Sequence, residues 1–169
     1  RQNKSQCYGL TVPLITQADG TKFGKTESGT IWLNAKKTSP YTFYQFWLGV
    51  ADEDVYRFLR FFTFLSVSAI SSIKEKDEFK NAKPVAQSIL ACEVTRFVHG
   101  QDQLDAAKRI TDALFTDKSE VLQKDDFEQL ALDGLTHITL QDIDISEVTL
   151  SRILVDSGLA KSGKEVKDA

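Results

Sequence analysis

Apolar positions along this chain fall into one early extended run followed by a series of helical faces. Leu10 to Thr16 is rich in Val, Ile, Leu and Thr, alternates moderately and stops at Asp19-Gly20, the pattern of a strand entering a turn. Pro13 marks that strand as edge or irregular, and Thr30 to Leu33 reads as a second short extended piece. Thr38-Ser39-Pro40 then supplies an N-cap followed by proline at the first helical position. The helix it opens carries Tyr41, Phe43, Tyr44, Phe46, Trp47 and Leu48, apolar around most of its circumference and therefore expected to be well buried.

The same periodicity sets out the next elements. Asp52 precedes Val55, Tyr56, Phe58, Leu59, Phe61, Phe62 and Leu65, spaced by threes and fours as one broad helical face requires. Ser66 or Ser68 caps a helix with Ile70 and Ile73 that runs into the charged stretch Lys74 to Lys83. Pro84 opens another with Val85, Ile89, Leu90, Val94, Phe97 and Val98, stopped by Gly100. Asp102 begins a helix with Leu104, Ala107, Ile110 and Leu114, and Lys124 to Leu132 is a shorter one. From Gly134 to Ser146 apolar residues scatter among acids and turn formers, the texture of a linker. Ser146 to Leu159 reads as an amphipathic helix ending at Gly158, and Ser162 with Glu165 forms a capping-box pattern for a last one. The fold class expected is thus mainly α.

Composition changes this picture in three respects. Cys7 and Cys92 are too few for a disulfide framework and read as reduced thiols, and His99 and His137 exclude a multi-histidine metal site. No apolar run approaches the roughly 20 residues that span a bilayer, and the first residues lack a signal-peptide core, so a cytoplasmic location is expected. The 169 residues include no methionine, which reads as a processed chain or a fragment. Charge is uneven: residues 1–50 carry six Lys/Arg against two Asp/Glu, whereas 101–150 carry four against twelve. A phosphate-rich partner would meet the first segment more readily than the acidic one.

Candidate chemistry concentrates between Thr21 and Gly29. Lys22 and Lys25 stand three apart in a loop containing Gly24 and Thr26, so two ammonium groups, a hydroxyl and backbone N–H groups can converge on one polyphosphate. The spacing excludes a P-loop, because only Thr21, Lys22 and Phe23 separate Gly20 from Gly24-Lys25-Thr26 where four residues are needed. Asp125-Asp126 reads as helix N-terminal charge rather than a catalytic pair.

Lys22-Phe23-Gly24-Lys25-Thr26 resembles the "KMSKS" motif of class I aminoacyl-tRNA synthetases in the form carried by bacterial tyrosyl-tRNA synthetases. The resemblance continues through Gly9 to Leu14, Ala18 to Gly29, Lys37 to Tyr41, Phe43 to Trp47, Asp54 to Leu59, Phe61 to Leu65, Glu93 to Arg96, Val98 to Gly100 and Ala106 to Ile110. It implies that residues 1–38 end a Rossmann-like α/β catalytic domain and that 39–133 form a helical tRNA-recognition domain. Residues 134–146 would be a linker, and 147–169 the start of a C-terminal RNA-binding domain. It also implies a homodimeric parent enzyme that activates tyrosine with ATP, accompanied by Mg2+, and transfers it to tRNA(Tyr). Lys22, Lys25 and Thr26 match the residues that stabilise the transition state, with Lys25 the foremost ATP contact, and no metal site is implied in this chain. The family's second ATP-binding motif and tyrosine pocket would lie upstream of Arg1, so the chain alone is expected to be inactive. The alternative is a non-enzymatic helical RNA-binding or interaction module.

Overall fold

The computed structural model describes residues 8–26, 29–78, 85–116, 122–135, 137, 148–158 and 161–168. A two-stranded antiparallel hairpin, β1 (Lys25–Thr26) and β2 (Gly29–Thr30), is followed by α1 (Pro40–Leu48), α2 (Asp52–Phe62), α3 (Val67–Glu78), α4 (Ala86–His99), α5 (Gln101–Thr116) and α6 (Lys124–Leu132). Two short helices, α7 (Leu150–Asp156) and α8 (Gly163–Asp168), pack on each other and on no other described element. The expected mainly helical class is what the described residues display.

Around α4 the core assembles, because that helix packs against α1, α2, α3 and α5. Phe43 and Trp47 of α1, Val55, Phe58 and Leu59 of α2, Ile70 of α3, Leu90, Ala91 and Val94 of α4 and Leu104 and Ala107 of α5 are all buried. The buried sets of α1, α2, α4 and α5 recur at helical spacing and α3 adds Ile70, so these helices each give one face to a common apolar interior, and that burial is the main drive for the arrangement.

Local chemistry explains most boundaries. The Ser39 hydroxyl accepts the Thr42 N–H at 2.9 Å and Pro40 follows it, so α1 starts where the capping signal stands. The same hydroxyl donates to Asp133 at 2.5 Å, and the Tyr41 N–H donates to Gln129 Oε1 at 3.1 Å, which ties the start of α1 to the end of α6. Helix α2 begins on Asp52 itself after Ala51, and it ends at Phe62, short of Leu65. There the Thr63 hydroxyl bonds back to the Leu59 carbonyl at 2.6 Å and accepts the Leu65 N–H, drawing the chain out of the helix. Ser66, not Ser68, takes the Ala69 N–H at the head of α3. Gly100, with φ of +87°, ends α4 in a backbone region that other residues enter at a cost, and α5 starts directly after it.

Two expectations are corrected. Residues 10–16 are not a strand: only Thr16 makes a bridge, to Lys22, while Leu10, Val12 and Leu14 are exposed. A strand exists by pairing, and beyond the single Phe23 N–H to Ile15 carbonyl bond no backbone hydrogen bond ties residues 10–15 to a described segment. The helix expected over 146–159 is shorter, with Thr149 capping Leu150–Asp156 by accepting the Arg152 N–H. Pro84 and most of the expected 134–146 linker lie outside the described residues.

Candidate active-site loop

Residues 15–26 and 29–31 form a double turn laid against α1 and α2. The first turn closes through the Gln17 N–H to Thr21 carbonyl bond at 2.8 Å and the Gly20 N–H to Gln17 carbonyl bond at 2.9 Å. Asp19 secures it from within, since its Oδ1 accepts both the Thr21 N–H and the Thr21 hydroxyl. Those bonds, the hydroxyl's first, hold the Asp19 carboxyl below the usual carboxylate range. Lys22 then pairs with Thr16, and the Phe23 N–H reaches the Ile15 carbonyl at 3.2 Å.

The second turn is the β1–β2 hairpin, with Lys25 opposite Thr30 and Thr26 opposite Gly29. Its base closes through the Ile31 N–H to the Gly24 carbonyl at 3.2 Å. Gly24 has φ of +84°, a left-handed conformation that disfavours side chains, so glycine between Phe23 and Lys25 lets the chain reverse within two residues. The loop thus runs from Lys22 to Thr26 as one short ribbon, with the Lys22 side chain in solvent.

Phe23 points the other way. Its ring centroid lies 4.4 Å from Phe58, 5.1 Å from Trp47, 5.2 Å from Phe46 and 5.5 Å from Phe62, in tilted geometries that aromatic pairs favour. The loop is thereby anchored to α1 and α2 by its central apolar residue, with a lysine on each side. A cleft of about 430 Å³ lined by Gln17, Thr21, Phe23, Phe46 and Ala51 separates the first turn from the α1–α2 connection.

Two residues that sequence reasoning passed over as site residues complete the support. Asp54, 2% exposed, accepts the Ala18 N–H at 2.8 Å and the Arg57 guanidinium, and Arg57 also donates to the Thr16 carbonyl at 2.5 Å. The available signal was an acid and an arginine three apart in the first turns of a helix, a spacing that surface ion pairs share and that does not disclose long-range partners.

No helix among the described residues is long and apolar enough to cross a membrane. Among them, no three His, Cys, Asp or Glu side chains converge as metal ligands.

A family model for class I tRNA synthetases (W and Y) matches residues 1–116, and the chain belongs to that family. Within it, the chain is 59% identical over 167 residues to a tyrosine–tRNA ligase of Chromobacterium violaceum and 54% identical over 167 residues to one of Neisseria meningitidis serogroup C. Each alignment covers 99% of this chain but only 39% and 38% of the respective relative, so the chain spans about two-fifths of their length. A C-terminally truncated mitochondrial tyrosyl-tRNA synthetase from Coccidioides posadasii superposes with a TM-score of 0.50 at 38% identity, over 59% of this chain and 25% of that one.

Proposed function

We propose that this chain is the part of a tyrosine–tRNA ligase that carries its ATP-handling loop, and that Lys22, Lys25 and Thr26 stabilise the transition state of tyrosine activation. The observation that carries this reading is the loop itself: a glycine-hinged ribbon with a lysine in sequence on each side of a half-buried aromatic anchor, in a chain of the class I family. When the tyrosine carboxylate attacks the α-phosphate of ATP, negative charge grows on the phosphate oxygens and on the departing pyrophosphate. Ammonium groups held where that charge develops lower the barrier more than they tighten ground-state binding. Lys25 is the first ATP contact in this reading, and Thr26 adds a hydroxyl donor. Mg2+ accompanies the nucleotide as its counter-ion.

In the same reading residues 1–38 close the catalytic domain, 39–133 recognise tRNA(Tyr), 134–146 link, and 147–169 begin a C-terminal RNA-binding domain. The whole enzyme is a cytoplasmic homodimer acting on tyrosine, ATP and tRNA(Tyr). The relatives' names and identities support this assignment, and the separate pairing of α7 with α8 agrees with a distinct terminal unit.

The test is Lys25→Ala in the full-length enzyme, read by tyrosine-dependent pyrophosphate exchange. The rate falls about 100-fold to 1000-fold, as for loss of one preorganised donor to a developing oxyanion. A fall of less than about threefold, under 1 kcal/mol of barrier, overturns the assignment.

A further inference from the structure

We propose that Asp54 and Arg57 are positioning residues that set the orientation of the lysine loop, an inference that rests on reading that loop as the ATP-handling element. Phe23 fixes how deeply the loop sits on the helices, but apolar packing is weakly directional and lets a ribbon slide or rotate. Hydrogen bonds restrict angle as well as distance. The loop's directional links to α2 are the Asp54–Ala18 and Arg57–Thr16 bonds, which cross 36 and 41 residues of sequence.

Their placement suits this role. Asp54 is the third residue of α2, where the helix N-terminus favours a carboxylate, and its two oxygens are divided between Ala18 and Arg57. One Arg57 nitrogen then donates both to Asp54 and to the Thr16 carbonyl. Thr16 is the residue that pairs with Lys22, and its neighbour Ile15 receives the Phe23 N–H. A rigid helix is thus connected through two side chains and two short backbone pairings to the lysines' own segment. Loss of either side chain frees residues 16–18 to rotate while the aromatic anchor stays in place, so the loop remains attached and its charges lose their aim.

The experiment uses the full-length enzyme that carries this chain, with kcat and KM for ATP and for tyrosine measured by pyrophosphate exchange. Arg57→Ala and Asp54→Asn lower kcat about 10-fold to 100-fold, the scale of a small misplacement of catalytic groups, and leave the KM for tyrosine within about twofold. Arg57→Lys, which keeps a donor and the charge, recovers part of the loss. In the Lys25→Ala background, Arg57→Ala costs less than it does in the parent, because residues acting through one loop are not additive. An Arg57→Ala enzyme within about threefold of the parent, or one whose loss multiplies in full on Lys25→Ala, overturns the positioning role. If Lys25→Ala slows exchange and the Arg57 and Asp54 variants do not, only this inference fails. If Lys25→Ala is itself without effect, the reading of the loop fails and this inference with it. Should Arg57→Ala not fold, as judged by its helical circular dichroism, the nearly isosteric Asp54→Asn decides the matter.

Discussion

The Phe23 and Phe58 rings meet at 4.4 Å between centroids, and this contact joins the lysine loop to the core of the helical unit. Phe58 is 1% exposed and Phe23 half-buried, so the loop's central side chain completes a face that α1 and α2 leave open. Phe23→Ala is expected to lower the chain's stability by about 2 kcal/mol, the scale of burying one large apolar side chain. Thermal unfolding followed by circular dichroism measures it, and Phe23→Leu should retain most of the stability.

Arg109 holds Asp126 with two bonds, Nε to Oδ2 at 2.7 Å and Nη2 to Oδ1 at 2.8 Å, and the Gln123 N–H adds a third at 2.8 Å. Burial alone would raise the Asp126 pKa, but the Arg109 and Gln123 bonds outweigh it and hold the carboxyl below its ordinary value. A carboxylate with a lowered folded pKa contributes stability that is present above the unfolded value near 3.8 and lost as pH falls through the folded one. Asp126→Ala, which strands the guanidinium, should cost about 3 kcal/mol at neutral pH and flatten the acid limb of an unfolding titration.

Helix α4 has no cap of its own at Val85 and borrows one from α3. Asp77 accepts the Val85 N–H at 3.0 Å and the Ala86 N–H at 3.2 Å, while the Tyr56 hydroxyl donates to it at 3.0 Å. Burial and then the bond to Asp77 push the Tyr56 phenol up to about 12. Asp77→Ala should therefore destabilise the chain by about 1 kcal/mol, as loss of a helix N-cap does. It should also bring the Tyr56 titration back toward 10, read as a tyrosinate absorbance difference against Tyr56→Phe.

His99 packs edge-on against Phe43 at 4.8 Å, and its buried Nε2 has no hydrogen-bond partner among the described residues. Burial lowers its pKa from 6.5, so the folded chain favours the neutral ring. The unfolded chain then binds the proton more readily, and stability is full above about 6.5 and declines as pH falls through the lowered folded value. Urea midpoints measured across pH 5 to 8 should show this decline, and His99→Phe should lessen it. An unchanged profile in that variant would assign the decline to other groups.

Much of the helical unit was legible because its signals are local. Ser39-Pro40 and Gly100 act within a turn of their own position, and periodicity alone assigned Phe43, Trp47, Phe58 and Leu90 to an interior. The loop was legible as a composition, two lysines around Phe23-Gly24. Its anchoring was not, because nothing in a three-residue spacing reveals that Asp54 reaches Ala18 or that Arg57 reaches Thr16. Residues 10–16 were misread for the complementary reason: alternation reports what a strand's faces would suit, and pairing depends on a neighbour elsewhere in space.

By itself, then, the sequence determined where most of the helices stand and which faces turn inward, and it singled out Lys22 to Thr26 as the site proposed for chemistry, since capping, periodicity and side-chain type act over a few positions. Only the tertiary structure decided that Phe23 faces the core while Lys22 faces solvent, that Asp77 caps a helix not its own, and that Asp54 and Arg57 hold the loop's base. Those relations join residues from 8 to 41 positions apart, and hydrogen bonds and ring contacts of a few ångströms form between them only once the helices have packed.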